Sequence, residues 1–139
     1  MIISENGGCF MMGPNCRTFG MWSDGTAAVY RMETDLPADT LDQSEAEAVA
    51  SIGTELAAHL TAISDATDFD DLEARLGPGT CNACVDGIDY LLTLYTDAGP
   101  RHFSSNEFEF DQTETLFRAV ENALAAMSQQ LQLPVDMYS

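Results

Sequence analysis

Four cysteines carry the clearest chemical pattern in this sequence. They fall as two pairs, Cys9 with Cys16 and Cys81 with Cys84. Sulfur at these spacings suits three chemistries. The first is a framework of two disulfides, which small domains in oxidising compartments use to offset chain entropy. Four cysteines allow three pairings, and sequence does not choose among them. The second is a tetrathiolate zinc site: Cys81-x-x-Cys84 has the two-residue knuckle spacing, whereas six residues separate Cys9 from Cys16. The third is thiol redox chemistry. A reactive pair wants its first cysteine at a helix N-terminus after a strand, with a basic neighbour to lower the thiol pKa. Here the pair precedes a strand-like run and is flanked by Asn82 and Asp86. Disulfides are therefore expected, with a zinc, copper or redox protein as the alternative. Cys9, Met11, Met12, Cys16 and Met21 also gather soft ligands of the kind copper(I) takes, although methionine is equally a core filler.

Other chemistry is thinly represented. His59 and His102 are the two histidines, at an uninformative spacing. The chain has no nucleophile elbow, zincin motif, phosphate loop or dinucleotide fingerprint. It has no lysine, which excludes Schiff-base chemistry. Asp68, Asp70 and Asp71 resemble a calcium loop superficially, but the glycine and final glutamate of an EF-hand are misplaced. No catalytic residues and no cofactor are expected. Phe10, Met11, Met12 and Trp22 sit in or beside the first loop. Exposed, they would form a patch for a partner protein; buried, they would cap a sheet.

Charge narrows the partners. The formal net charge is −18, from 23 acidic residues against five arginines. A field of that sign repels nucleic-acid phosphates and anionic membranes. It fits a solvated acidic surface, attraction to a basic protein partner, or an inhibitor that mimics nucleic acid. A protein partner is expected; direct nucleic-acid binding and membrane insertion are not. Oligomeric state stays open.

These residues need elements to hold them. The 139 residues suit one domain, 1–139, with a loose tail from about 132. A strand opens the chain at Ile2-Ile3-Ser4. Ser23-Asp24-Gly25-Thr26 turns a first hairpin. Val49, Ile52, Leu56, Leu60 and Ile63 recur at helical spacing, predicting a helix over 42–64, in which Gly53 would mark close packing. Asp68 caps a short helix presenting Phe69, Leu72 and Leu76. The run from Tyr90 to Tyr95 alternates as a strand, turns at Asp97-Ala98-Gly99-Pro100 and returns over 101–110, with a bulge or bend near Ser104-Ser105-Asn106. A capping box at Asp111 and Glu114 starts a last helix with Leu116, Phe117, Val120, Leu124, Met127 and Leu131 on one face. The sum is an α+β domain: an antiparallel sheet of four to five strands with two main helices on one face.

Several of these pieces resemble emfourin-type protease-inhibitor domains and related small secreted bacterial domains. They are Ile3-Ser4 before Gly7-Gly8, Asp35-Leu36-Pro37-Ala38 before a helix, Asp68-Phe69-x-x-Leu72, Asp89-Tyr90-x-Leu92-Thr93-Leu94 and the final helix. Cys9-Phe10, Cys16, Phe19 and Asp24-Gly25 are similar to the opening of a second family, of unknown function. The chain departs from the first pattern in having Cys9 after the glycine pair, and from the second in its wider cysteine spacing. The resemblance implies a secreted or periplasmic domain that binds a thermolysin-like metalloprotease; no inhibitory residue is carried over. Met1-Ile2-Ile3-Ser4 goes straight into a strand-like segment with no visible signal peptide, which fits either a cytoplasmic protein or a mature domain without its leader; the latter is expected. The expected function is a non-enzymatic secreted or periplasmic binding module held by disulfides, with protease inhibition as its narrower form. The alternatives are the cysteine-based metal or redox protein and the acidic nucleic-acid mimic.

Overall fold

The computed structural model describes residues 1–7, 17–30, 43–85 and 88–131. Cys9, Phe10, Met11, Met12 and Cys16, the segment at 35–38 and the tail from 132 lie outside them.

Six antiparallel strands form one sheet in the order β4-β3-β2-β1-β5-β6. β1 (Ile2–Gly7), β2 (Thr18–Met21), β3 (Thr26–Tyr30) and β4 (Ala48–Ser51) run as a meander outward from the centre. Helices α1 (Thr54–Ala66) and α2 (Phe69–Arg75) follow. The chain then re-enters as β5 (Ile88–Thr96), which pairs with β1, and β6 (Gly99–Ser104), and closes with α3 (Thr115–Leu131). The α+β class and the antiparallel pairing agree with the sequence pattern. The strand count does not: the sheet has six strands rather than four to five.

The extra strand comes from residues expected in a helix. Ala48–Ser51 pairs with β3, with Ala50 opposite Ala27 and Ala48 opposite Val29. The helix starts only at Thr54, after Gly53 at φ 87°. Helical spacing from Val49 to Leu60 is thus partly coincidental. Val49 lies on the outward face of β4 and is 51% exposed. Ala48 and Ala50 face the core on the period of a strand. An available edge on β3 outweighs the high helix propensity of Ala48 and Ala50, since so short a segment gains little as an isolated helix, and Gly53 supplies the bend.

One face of the sheet meets all three helices. Ile3, Phe19, Val29, Leu92, Leu94 and Phe103 form a continuous core with Leu60, Leu72 and the apolar stripe of α3. That stripe is buried as expected: Leu116, Phe117, Val120, Leu124, Met127 and Leu131. Phe103 lies at the centre of an aromatic group, with ring centroids 5.9 Å from Phe69, 5.9 Å from Phe108 and 5.5 Å from Phe117. The expected kink in the second arm of the main hairpin is an ending instead. β6 stops at Ser104, a turn spans 105–107, and Phe108 makes an isolated bridge to Pro78. Asp68 caps α2 by accepting the Asp71 N–H at 3.1 Å. The expected box before α3 is replaced: Asp111 accepts the Thr113 N–H at 2.9 Å, and Glu114 reaches Arg75 at 2.7 Å.

The β2–β3 turn seats against the start of α1. Asp24 Oδ1 accepts the Thr26 N–H at 2.9 Å, and the Ile52 N–H reaches Gly25 O at 2.9 Å. A Cβ on Gly25, itself at φ 87°, would stand 2.6 Å from the Gly53 carbonyl carbon. A Cβ on Gly53 would meet nothing within 4 Å. Gly53→Ala therefore carries backbone strain alone, about 1 kcal/mol. Gly25→Ala adds a backbone clash and is expected to cost about 2–4 kcal/mol. Urea unfolding of the two variants checks this, and equal midpoints would contradict the close approach.

Candidate functional site

The sulfur chemistry settles first. Cys81 and Cys84 are joined as a disulfide, with an S–S distance of 2.01 Å. The bond closes a short 3-10 turn, Asn82–Val85, in which Cys84 is exposed. The turn is also held without sulfur. Asn82 Nδ2 donates to Asp89 Oδ1 at 3.2 Å, and Ser105 Oγ donates to the same oxygen at 2.8 Å. Asp89 is buried at the head of β5. Both sulfurs are occupied by each other, so a zinc tetrathiolate would require their reduction. Among the described residues, no group of three histidines, cysteines or carboxylates is placed to hold a metal ion.

The histidines do not meet the cysteine pair in a metal cluster. His59 is exposed on α1. His102 Nδ1 lies 2.9 Å from Thr93 Oγ1, its direct cross-strand neighbour. This is a hydroxyl beside a possible base, the geometry of an activated nucleophile. It is equally the usual polar pairing of two strands.

Trp22 leads to a more developed feature. It follows β2 immediately and is half-buried. With Met1, Met21 and Ser23 it forms one wall of a half-open cleft of about 210 Å³. The facing wall is α1, through Ala57, Leu60, Thr61 and Ser64; Leu94 and Tyr95 of β5 close the side. Two of the hydroxyls here are engaged by their own helix. Thr61 Oγ1 donates to Ala57 O at 2.9 Å and Ser64 Oγ to Leu60 O at 2.8 Å. The lining is more carbon than polar, with Trp22 and Tyr95 as its two aromatic side chains, and Tyr95 is 36% exposed. Sequence reasoning singled out Trp22 but not its companions. Tyr95 and Leu60 read as strand and helix faces, and nothing in their spacing shows that the ends of β2, β5 and α1 converge.

A second hollow, of about 280 Å³, adjoins the first at Ser64. Its lining includes Asp65, Asp68, Asp70 and Asp97, with Arg101. The Arg101 guanidinium carbon lies 5.1 Å from the centroid of the Phe69 ring. The Asp97 N–H donates to Asp65 Oδ1 at 3.1 Å, tying the β5–β6 turn to the end of α1.

Among the described residues no helix is long and apolar enough to cross a membrane. Comparison with protein-family models, curated proteins and solved structures finds no match.

Two measurements bear on these groups. A four-residue ring constrains the unfolded chain weakly, so replacing Cys81 and Cys84 together by serine is expected to cost about 2 kcal/mol, read from urea midpoints. A loss well above that would mean the turn depends on the bond. In a polypeptide beginning at Met1, burial pushes the amino group down to about 6 from 8.0. The ammonium donates to Met21 O at 3.0 Å inside the cleft. The unfolded chain then binds this proton more tightly than the folded one, so stability rises with pH through this window. It is greatest above pH 8 and falls, by up to about 3 kcal/mol, as pH drops through 6. An NMR titration of the Met1 amine with a midpoint near 8 would contradict it.

Proposed function

We propose that this chain is a non-enzymatic binding module that acts in a secreted or periplasmic setting and recognises a protein. The observation that supports the reading is the cleft between Trp22, Leu60 and Tyr95. It is concave and more apolar than polar, and Trp22 and Tyr95 carry aromatic surface to its rim. Buried aromatic anchors in such pockets supply most of the energy at protein interfaces. The Cys81–Cys84 bond is compatible with an oxidising compartment. The acidic surface favours a basic partner and disfavours nucleic acid.

Protease inhibition is the narrower form of this proposal, resting on the resemblance to emfourin-type domains. Thiol chemistry at Cys81 and Cys84 is the second reading, supported by the exposure of Cys84. The strongly negative chain, with no basic residue between Arg75 and Arg101, weighs against an activated thiolate there.

Titrating the protein into a thermolysin-like metalloprotease tests the inhibitor form. The expected outcome is stoichiometric loss of peptide hydrolysis, weakened about tenfold or more by Trp22→Ala. Full proteolytic activity at a large excess of the protein would remove inhibition from the proposal. The intact mass of the native protein separates the cysteine readings: a mass lower by the hydrogens of two disulfides supports the extracytoplasmic module, and a mass raised by a metal ion supports the alternative.

A further inference from the structure

The two adjoining hollows differ in chemistry, and that difference specifies a ligand. Resting on the reading of the Trp22 cleft as a binding site, we propose that its occupant is an extended protein segment with two anchors. One is an apolar side chain; the other, two residues along, is an arginine or lysine.

The spacing comes from the elements that build both hollows. Along β5, Leu94 and Tyr95 line the apolar cleft, and Thr96 and Asp97 line the acidic one. Along α1, Thr61 and Ser64 belong to the first, and Ser64 and Asp65 to the second. The step from one hollow to the next is therefore about two strand residues, roughly 6–7 Å. Side chains at alternate positions of an extended segment project to one side at the same interval.

Charge complementarity identifies the second anchor. Four carboxylates, Asp65, Asp68, Asp70 and Asp97, line the acidic hollow against one guanidinium, Arg101. Arg101 is engaged over the Phe69 ring. Asp65 is fixed toward the β5–β6 turn by the Asp97 N–H, and Asp68 by its cap on α2. A cation arriving here meets carboxylates already in place, so little ordering is needed to bind it. The net charge of −18 adds long-range attraction for a basic partner. The same charge opposes a second copy of this chain or an anionic lipid surface as occupant. A bare metal ion fits poorly, since no ligating group of three is formed among the described residues.

The test uses the full chain and the fluorescence of Trp22, its single tryptophan. Three blocked pentapeptides serve as probes. The first is glycine except for phenylalanine second and arginine fourth. The second replaces the arginine by glutamate, and the third replaces the phenylalanine by alanine. At about 50 mM salt the arginine peptide is expected to shift Trp22 emission with an affinity about tenfold or more above either counterpart. The gap from the glutamate peptide should narrow at about 500 mM salt. It should also narrow when Asp65→Asn and Asp97→Asn are combined, with the unfolding midpoint retained. Equal affinity for the arginine and glutamate peptides would overturn the charged anchor and leave the cleft as a binding site. No response of Trp22 to any of the three would overturn the cleft reading along with it.

Discussion

Everything in this fold depends on where β1 sits. It occupies an interior position in the sheet, with β2 on one side and β5 on the other. Its six-residue ladder with β5 is the seam joining the four-stranded meander to the β5–β6 hairpin. Ile3 stands on that seam opposite both Phe19 and Leu92, and all three are essentially removed from solvent. Backbone pairing sets their register, and a slip of one residue would turn each to the wrong face. The helices rest on the surface this register creates. α3 spans the meander side, against β3 and β4, while α1 lies against β5 and α3. The Trp22 cleft is a by-product of the same arrangement, since β1 brings the ends of β2 and β5 to one rim.

Much of the architecture was legible because the physical signals were redundant. The last helix carries six apolar residues at helical spacing, and all six are buried. The β5–β6 hairpin has alternation, a two-residue turn and a glycine at φ 112°, each pointing to the same structure. The region 42–64 shows the opposite case. Ala48, Val49 and Ala50 are short residues that satisfy helical and strand periods alike. Their state was decided by the open edge of β3, a tertiary fact with no local signature. Gly53, expected to mark close packing within a helix, is instead the bend that separates strand from helix.

The candidate site was less legible for a related reason. Cysteines announce themselves by type, whereas a cleft is made by convergence. Trp22 stood out because it is rare and lies beside a turn. Tyr95, Leu60 and Asp97 belong to three elements whose meeting depends on sheet order, and strand order is not written in any one segment. The acidity shows the same limit. In sequence the carboxylates spread evenly and read as solvated surface. In the fold, Asp65, Asp68, Asp70 and Asp97 gather around one hollow because the end of α1, the start of α2 and the β5–β6 turn meet there.

The β1–β5 seam also governs the order in which this protein can be made. The paired positions Ile3 and Leu92 are about 90 residues apart in the chain. As the polypeptide leaves the ribosome, the first strand must wait for most of the domain before its second partner exists. Until then one flank of β1 is an unmatched template of amides and carbonyls beside apolar side chains. Pairings this distant slow folding and prolong the exposure of such edges. During synthesis the meander's β1 edge is therefore open to pairing with another nascent copy until β5 emerges. The net charge of −18 on every copy opposes that pairing. The acidity thus serves the molecule before it has a cleft to offer.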